Sequence, residues 1–206
     1  MLNKREQLNK GMEWDKMCKK LKEISGKTPE EILKFCGQEN RIPIDIMDII
    51  FKLGIILNET DFTEIEQSQD FECCGNILGA VYTEGDDLNI CYQKQSGEIK
   101  LKSQIEHRKR FTLAHELAHC CLDMNPDAQD YHLEFRTDQL QSDNKKEYNA
   151  NVFAGQLLIP TKSLLSVYYR LEVPSLEFLA NLFNVSKKVM IARLNYLKLP
   201  FFSDNE

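Results

Sequence analysis

Several kinds of segment are missing from this chain of 206 residues, and each absence excludes a class of protein. No apolar stretch approaches the ~20 residues of a membrane-spanning helix, so we expect no membrane association. Residues 1–6 are largely polar and carry no apolar run, so no secretory signal peptide is expected. The 7 cysteines are odd in number and form no Cys-x-x-Cys pair. Such a set is typical of a cytoplasmic protein whose thiols serve as small core side chains.

The chain also has fewer basic residues than acidic ones. The 26 Lys and Arg residues are outnumbered by 32 Asp and Glu, and the formal net charge of -6 does not suggest a general nucleic-acid binder. Hydrophobic residues make up 42% of the chain and charged residues 28%, as in globular proteins. A chain of this length can form one good core and a small additional unit.

Histidine is scarce as well, and the chain uses two of its 4 histidines in one pentapeptide, His115-Glu116-Leu117-Ala118-His119. Residues four apart share a face of a helix, so both imidazoles can bind one metal ion. Glu116 is the residue type that zinc proteases use as general base. The HExxH pattern alone also occurs by chance in helices that bind no metal.

The residues around this pentapeptide favour the metal site. Between Arg110 and Asp123, Glu116 is the only side chain that carries a full charge at neutral pH, so the helix should be buried. A buried glutamate flanked by two buried histidines is unfavourable unless a metal ion or other partner satisfies them. Thr112 is expected to cap the start of this helix.

A catalytic zinc site usually has three protein ligands, so a third must be found. The HExxHxxGxxH class is excluded, because Leu122 and Asn125 replace its glycine and its third histidine. A helical pattern ended by Pro160 carries Glu147 in its first turn, and this carboxylate is the other option. Glu147 could instead be a solvated acid favoured by the helix dipole. Asn151, one turn further, is expected to hydrogen-bond a ligand imidazole.

Two motifs carry a family resemblance. Residues 110–119 read Arg-Phe-Thr-Leu-Ala-His-Glu-Leu-Ala-His, and residues 147–160 read Glu-x-x-Ala-Asn-x-Phe-Ala-x-x-Leu-Leu-x-Pro. Together they resemble the ImmA/IrrE family of metallo-endopeptidases. The resemblance implies Zn²⁺, with Mn²⁺ as the alternative, bound by His115, His119 and Glu147, and Glu116 as catalytic base. Asn149 stands where the family often has Glu or Gln, which leaves Glu147 as the acid of the motif.

The resemblance also implies a substrate and a fold. Members of the family cut helix-turn-helix repressors of phages, mobile elements or stress regulons, so such a repressor is the expected partner. The expected fold is α+β, with a zincin-like core in which a small antiparallel sheet packs on the HExxH helix and on the helix of the glutamate ligand. The alternatives are a non-proteolytic metal-binding transcription regulator and a toxin–antitoxin component.

The chain is predicted to have three parts: an N-terminal helical extension (1–40), the metallopeptidase core (41–160) and a C-terminal helix-turn-helix-like unit (161–206). In the last part Ser175 and Ser186 are predicted N-caps. Its cations, Lys187, Lys188 and Arg193, are few for DNA binding, so we interpret the unit as structural or repressor-docking.

Three further features bear on a substrate site. Residues 77–82 and 88–92 flank a turn at Gly85, which predicts a hairpin whose edge could bind a substrate backbone. A basic run, of which His107, Arg108 and Arg110 are part, is interpreted as a solvated face. Three residues are candidates for stabilising an oxyanion: Tyr131, His132 and Tyr148. The alternative for each of them is a packing or surface role.

Overall fold

The computed structural model describes residues 19–63, 77–94, 102–124, 145–171 and 175–202, and the backbone course of 134–137. Its elements, in chain order, are helices α1 (Lys19–Ile24), α2 (Pro29–Phe35) and α3 (Ile46–Lys52), strands β1 (Ile56–Thr60), β2 (Ile77–Glu84) and β3 (Asp87–Gln93), helix α4 (Lys102–Leu122), strand β4 (Glu134–Thr137), and helices α5 (Lys145–Leu158), α6 (Thr161–Tyr168), α7 (Leu176–Phe183) and α8 (Lys187–Tyr196). The chain is therefore a mixed α+β protein with a small sheet.

Local sequence signals account for the helices before the sheet. Thr28 and Glu31 form a capping box at the start of α2, where Pro29 occupies the first turn and Glu31 bonds back to the Thr28 backbone. The Asp45 side chain caps α3 by accepting a hydrogen bond from the backbone N–H of Asp48. Gly54, with φ +66°, then redirects the chain into β1.

The described sheet has the strand order β1-β3-β2-β4. The predicted hairpin is confirmed, because β2 and β3 pair antiparallel around Gly85, whose φ of +58° suits a tight turn. The expectation of a small antiparallel sheet holds only in part. β1 pairs with the second strand of the hairpin and runs parallel to it, whereas β4 pairs antiparallel with β2.

The strand order also corrects the expected substrate edge. Each hairpin strand is paired on both sides, β2 by β3 and β4, and β3 by β2 and β1. Neither strand can therefore accept an additional strand. Among the described strands, the two edges are β1 and β4.

Helix α4 is longer than its sequence suggested. Thr112 does not cap it, because the helix begins at Lys102 and Thr112 is buried in its middle. The first part is polar and largely exposed, and burial becomes continuous from Thr112 to Cys121. The buried part packs against α5 on one side and against β2 and β3 on the other. The HExxH segment therefore lies at the centre of the main hydrophobic core.

The C-terminal helices are joined to the same core. Ser175 and Ser186 cap α7 and α8 as predicted, by accepting hydrogen bonds from the backbone N–H groups of Phe178 and Val189. Between the helices Asn184 adopts a left-handed conformation, with φ +51°. The buried apolar side chains of both helices belong to the hydrophobic cluster that includes the second half of α4.

Two arginines are buried, and one of them, Arg110, was expected on a solvated face. Arg110 donates to the carbonyl oxygens of Asn184, at 2.9 Å, and of Ile44, at 2.8 Å. Arg193 donates to the Ile159 carbonyl at 3.0 Å and to the Thr161 hydroxyl at 2.6 Å. Both guanidinium groups tie separate chain segments together, so neither is a solvated surface cation.

The core also holds the described cysteines, Cys36, Cys91, Cys120 and Cys121. Burial raises the pKa of the Cys121 thiol to about 12, which keeps it protonated and unreactive. These side chains act as small hydrophobes, as expected. Within the described ranges, no helix has both the length and the apolar character that crossing a bilayer requires.

Candidate metal centre

Helices α4 and α5 bring two histidines and a glutamate to one point. His115 Nε2 lies 3.2 Å from Glu147 Oε2, and His119 Nε2 lies 3.2 Å from Glu147 Oε1. The two Nε2 atoms are 2.9 Å apart. Both imidazoles are buried, and the Glu147 side chain is 23% exposed. Spacing along α4 and the first turn of α5 thus place the three expected ligands together.

The outer nitrogen of each ring has an oxygen partner. His115 Nδ1 lies 3.1 Å from Asn151 Oδ1, the contact expected from the sequence. His119 Nδ1 lies 2.7 Å from Asp123 Oδ2. A carbonyl or carboxylate oxygen accepts a hydrogen bond, so each Nδ1 carries the proton and donates it. When the rings are neutral, both Nε2 lone pairs therefore face Glu147, and this is the tautomer that binds a metal.

The spacing of these donor atoms fits a metal ion. The ligand atoms all lie within 4.8 Å of one another. In a tetrahedral zinc site they would be about 3.3 Å apart, because each lies roughly 2.0–2.1 Å from the metal. Two imidazole nitrogens facing each other at 2.9 Å also need a shared cation or proton between their lone pairs. His115, His119 and Glu147 therefore form a candidate metal-binding group.

The ionisation of Glu147 suits this role. Burial would raise the pKa of its carboxyl, but when both imidazoles are protonated the hydrogen bonds and positive charge of His115 and His119 outweigh burial and hold the pKa well below its ordinary value. The side chain is thus a carboxylate at neutral pH, the form that binds a metal. It is not the solvated N-terminal acid that was the alternative interpretation.

Glu116 follows the candidate ligand His115 in the chain and lies on the sheet side of α4. Its side chain is fully buried and rests on Gly79 of β2. A Cβ atom added at Gly79 would clash with Glu116 Oε1 and lie 2.8 Å from its Cδ and 2.9 Å from Thr112 Cγ2. The missing side chain at position 79 therefore makes the space that the carboxyl occupies.

Sequence reasoning missed Asp123 and Gly79. A signal for Asp123 was available, since it follows His119 by four residues, the spacing that places two side chains on one helix face. No comparable signal marks Gly79, because a glycine inside a strand has many explanations. Of the expected oxyanion candidates, Tyr148 is 64% exposed next to Glu147, and Tyr131 and His132 lie outside the described residues.

Asp123 offers a test of the metal centre. We expect Asp123→Ala to lower metal affinity about 10–100-fold, because His119 loses the acceptor that orients its ring and increases its basicity. Asp123→Asn, which keeps an acceptor oxygen but no charge, should fall between Asp123→Ala and the wild type. Competition with a chromophoric chelator measures this affinity. An unchanged affinity in Asp123→Ala would show that the 2.7 Å contact has no part in metal binding.

A comparison with protein families agrees with this geometry. The family model described as peptidase M78, the IrrE N-terminal-like domain, matches residues 91–195. The match covers just over half of the chain and includes both helices of the metal centre. Neither the curated proteins nor the solved structures gave a significant match. The ImmA/IrrE resemblance of the two motifs is confirmed by this match, and the chain belongs to the peptidase M78 family.

Proposed function

We propose that this protein is a zinc-dependent endopeptidase with His115, His119 and Glu147 as metal ligands and Glu116 as catalytic base. This proposal rests on the convergence of both Nε2 atoms on the two Glu147 oxygens, each at 3.2 Å. The Glu116 carboxyl is buried on α4, the helix that carries both histidines. Zn²⁺ fits this mixed nitrogen and oxygen donor set, and Mn²⁺ is the alternative.

The proposed chemistry divides between the metal and the chain. When bound, the metal would polarise the scissile carbonyl and acidify the attacking water. Glu116 would take a proton from that water as it attacks, and then deliver the proton to the leaving amine. Asn151 and Asp123 hold the two imidazoles in the tautomer that leaves their Nε2 atoms available. Gly79 keeps the Glu116 carboxyl against the sheet.

We place the substrate backbone along β4 and not along the hairpin. β4 is an edge strand of the described sheet, and its residue 136 pairs with Gly79, which contacts Glu116. A peptide added to this edge would run beside the strand that supports the proposed base. The core of residues 41–160, between helical parts 1–40 and 161–206, would form a zincin-like unit.

The proposed substrate is a helix-turn-helix transcriptional repressor of a phage, mobile element or stress regulon, cut in the cytoplasm. Membership of the peptidase M78 family supports a protein substrate. The burial of Arg193 and the ion pair of Lys187 with Glu177, at 2.9 Å, weaken the alternative of a DNA-binding regulator, because they remove two cations from α8.

Incubation with a purified candidate repressor tests this function. We expect the zinc-loaded protein to yield one defined pair of fragments, measured by intact-mass spectrometry. A chelator should abolish cleavage and added Zn²⁺ should restore it. His115→Ala, which removes one ligand, should contain little zinc and cut nothing. Retardation of promoter DNA without any cleavage would favour the regulator instead.

A further inference from the structure

A cleft of about 790 Å³ opens between α4, α5 and α8, next to the metal centre. Its size is that of a pocket that binds a small ligand or several residues of a peptide. Side chains such as Phe111, Val152 and Val189 give it an apolar lining. The C-terminal helix α8 forms one wall, so the predicted docking unit takes part in this surface.

The cleft approaches His115 from the side of its outer nitrogen, Nδ1. Asn151 lines the cleft and also contacts His115 Nδ1. Phe111 lines it one turn before His115, with 6.4 Å between the two ring centroids. Tyr148, the neighbour of the Glu147 ligand, lines the same end. The cleft therefore adjoins the metal centre through Asn151 and Tyr148, although none of the three metal ligands is among its described lining residues.

Charge in the cleft is of one sign. Arg108 of α4 and Lys188 of α8 line it and are exposed, and His107 and the buried Arg193 also contribute to its walls. Among the described residues that line it there is no aspartate or glutamate. This contrasts with the net charge of -6 for the whole chain. The cleft is thus complementary to a segment that combines apolar side chains with a carboxylate.

The helix geometry gives the position of that carboxylate. Arg108 precedes His115 by seven residues, a distance of about 10 Å along a helix that rises ~1.5 Å per residue. An extended peptide advances about 3.3 Å per residue. For a peptide segment that leaves β4 and continues along α4, a carboxylate held by Arg108 would therefore lie about three residues from the bond at the metal.

We propose that this cleft is a specificity site for the substrate, which binds a segment with an acidic side chain about three residues from the cleaved bond and apolar side chains between. Arg108 and Lys188 would pair with the acid, and Phe111, Val152 and Val189 would contact the apolar side chains. The proposal rests on the proposed peptidase function and adds a substrate class to it.

Cleavage of a proteome-derived peptide library tests where the acidic side chain lies relative to the cleaved bond. We expect the products of the zinc-loaded full-length protein to be enriched in Asp and Glu about three residues from the cleaved bond, on one side of it. Enrichment of Lys and Arg there, or no preference at any position, would overturn the proposal. A complete lack of cleavage, with zinc bound, would count against the peptidase function instead.

Charge reversal gives a sharper test. The double variant Arg108→Glu/Lys188→Glu should lose the preference for acidic residues and gain one for basic residues. The enrichment of each residue type should change about three- to tenfold, the effect of two exposed ion pairs. Lys162→Glu reverses an exposed charge on α6 outside the cleft and should leave the preference unchanged. An acidic preference that persists in the double variant contradicts the assignment.

A binding measurement separates this proposal from catalysis. Full-length Glu116→Gln protein is titrated with a short synthetic peptide of Leu and Phe flanked by Glu, and with the same peptide carrying Lys. Fluorescence anisotropy with a neutral dye should show about three- to tenfold tighter binding of the Glu peptide, reversed by Arg108→Glu/Lys188→Glu. Equal affinities for the two peptides would overturn the proposal whether or not the protein cleaves peptides.

Discussion

Glu116→Gln is expected to lower the rate of substrate cleavage by about 10²–10⁴-fold while leaving bound zinc unchanged. Glutamine has nearly the same shape as glutamate but cannot accept a proton from the attacking water. The side chain is not among the three converging metal ligands, so its replacement should not remove the metal. Single-turnover cleavage and metal analysis by mass spectrometry measure the two quantities separately.

A matched variant on the same helix controls for the loss of charge. Glu106 lies on the exposed part of α4, so Glu106→Gln should cut at the wild-type rate. Thermal unfolding of Glu116→Gln should occur no lower than that of the wild type, because a neutral side chain replaces a fully buried ionisable one. A Glu116→Gln protein that holds zinc and cuts at the wild-type rate would assign the base to another group.

Much of the metal centre could be predicted from the sequence, because two of its three candidate ligands lie four residues apart on one helix. His115 and His119 are held together by helix geometry alone, and an apolar surrounding sequence indicated their burial. Glu147 required one tertiary assumption, that the next motif helix packs on the first. The contact of Asn151 with His115 followed from the same assumption, since it lies one turn from Glu147.

Features that depend on distant acceptors could not be predicted. Arg110 belongs to a basic run and was expected in solvent, yet it bonds to carbonyls 66 and 74 residues away in the chain. Similarly, the polar start of α4 has no apolar periodicity, so the sequence predicts a shorter helix that begins at Thr112. The hairpin was visible, but its interior position depends on β1 and β4, which pair from elsewhere in the chain.

Substitution of Gly79 is expected to impair both the stability and the activity of the protein. A Cβ atom there would lie 2.8 Å from Glu116 Cδ and 2.9 Å from Thr112 Cγ2, distances that real Cβ atoms essentially never show. The added atom has no room, because β2 and α4 are both fixed in the core and cannot move apart. We expect Gly79→Ala to destabilise the protein by about 1–3 kcal/mol through overpacking. Displacing the carboxyl by ~1 Å should also lower cleavage about 10²-fold.

Gly155 of α5 supplies the matched control, because a Cβ atom there would meet nothing within 4 Å. Gly155→Ala should stabilise the protein by about 0.5–1 kcal/mol, the helix preference of alanine over glycine. The same substitution at two glycines thus has opposite expected signs in urea unfolding. Adding Thr112→Ser to Gly79→Ala removes the Cγ2 contact and should recover part of the stability, but little activity, because the contact with Glu116 remains. If Gly79→Ala matches the wild type in both stability and cleavage, the Glu116 carboxyl does not rest on β2.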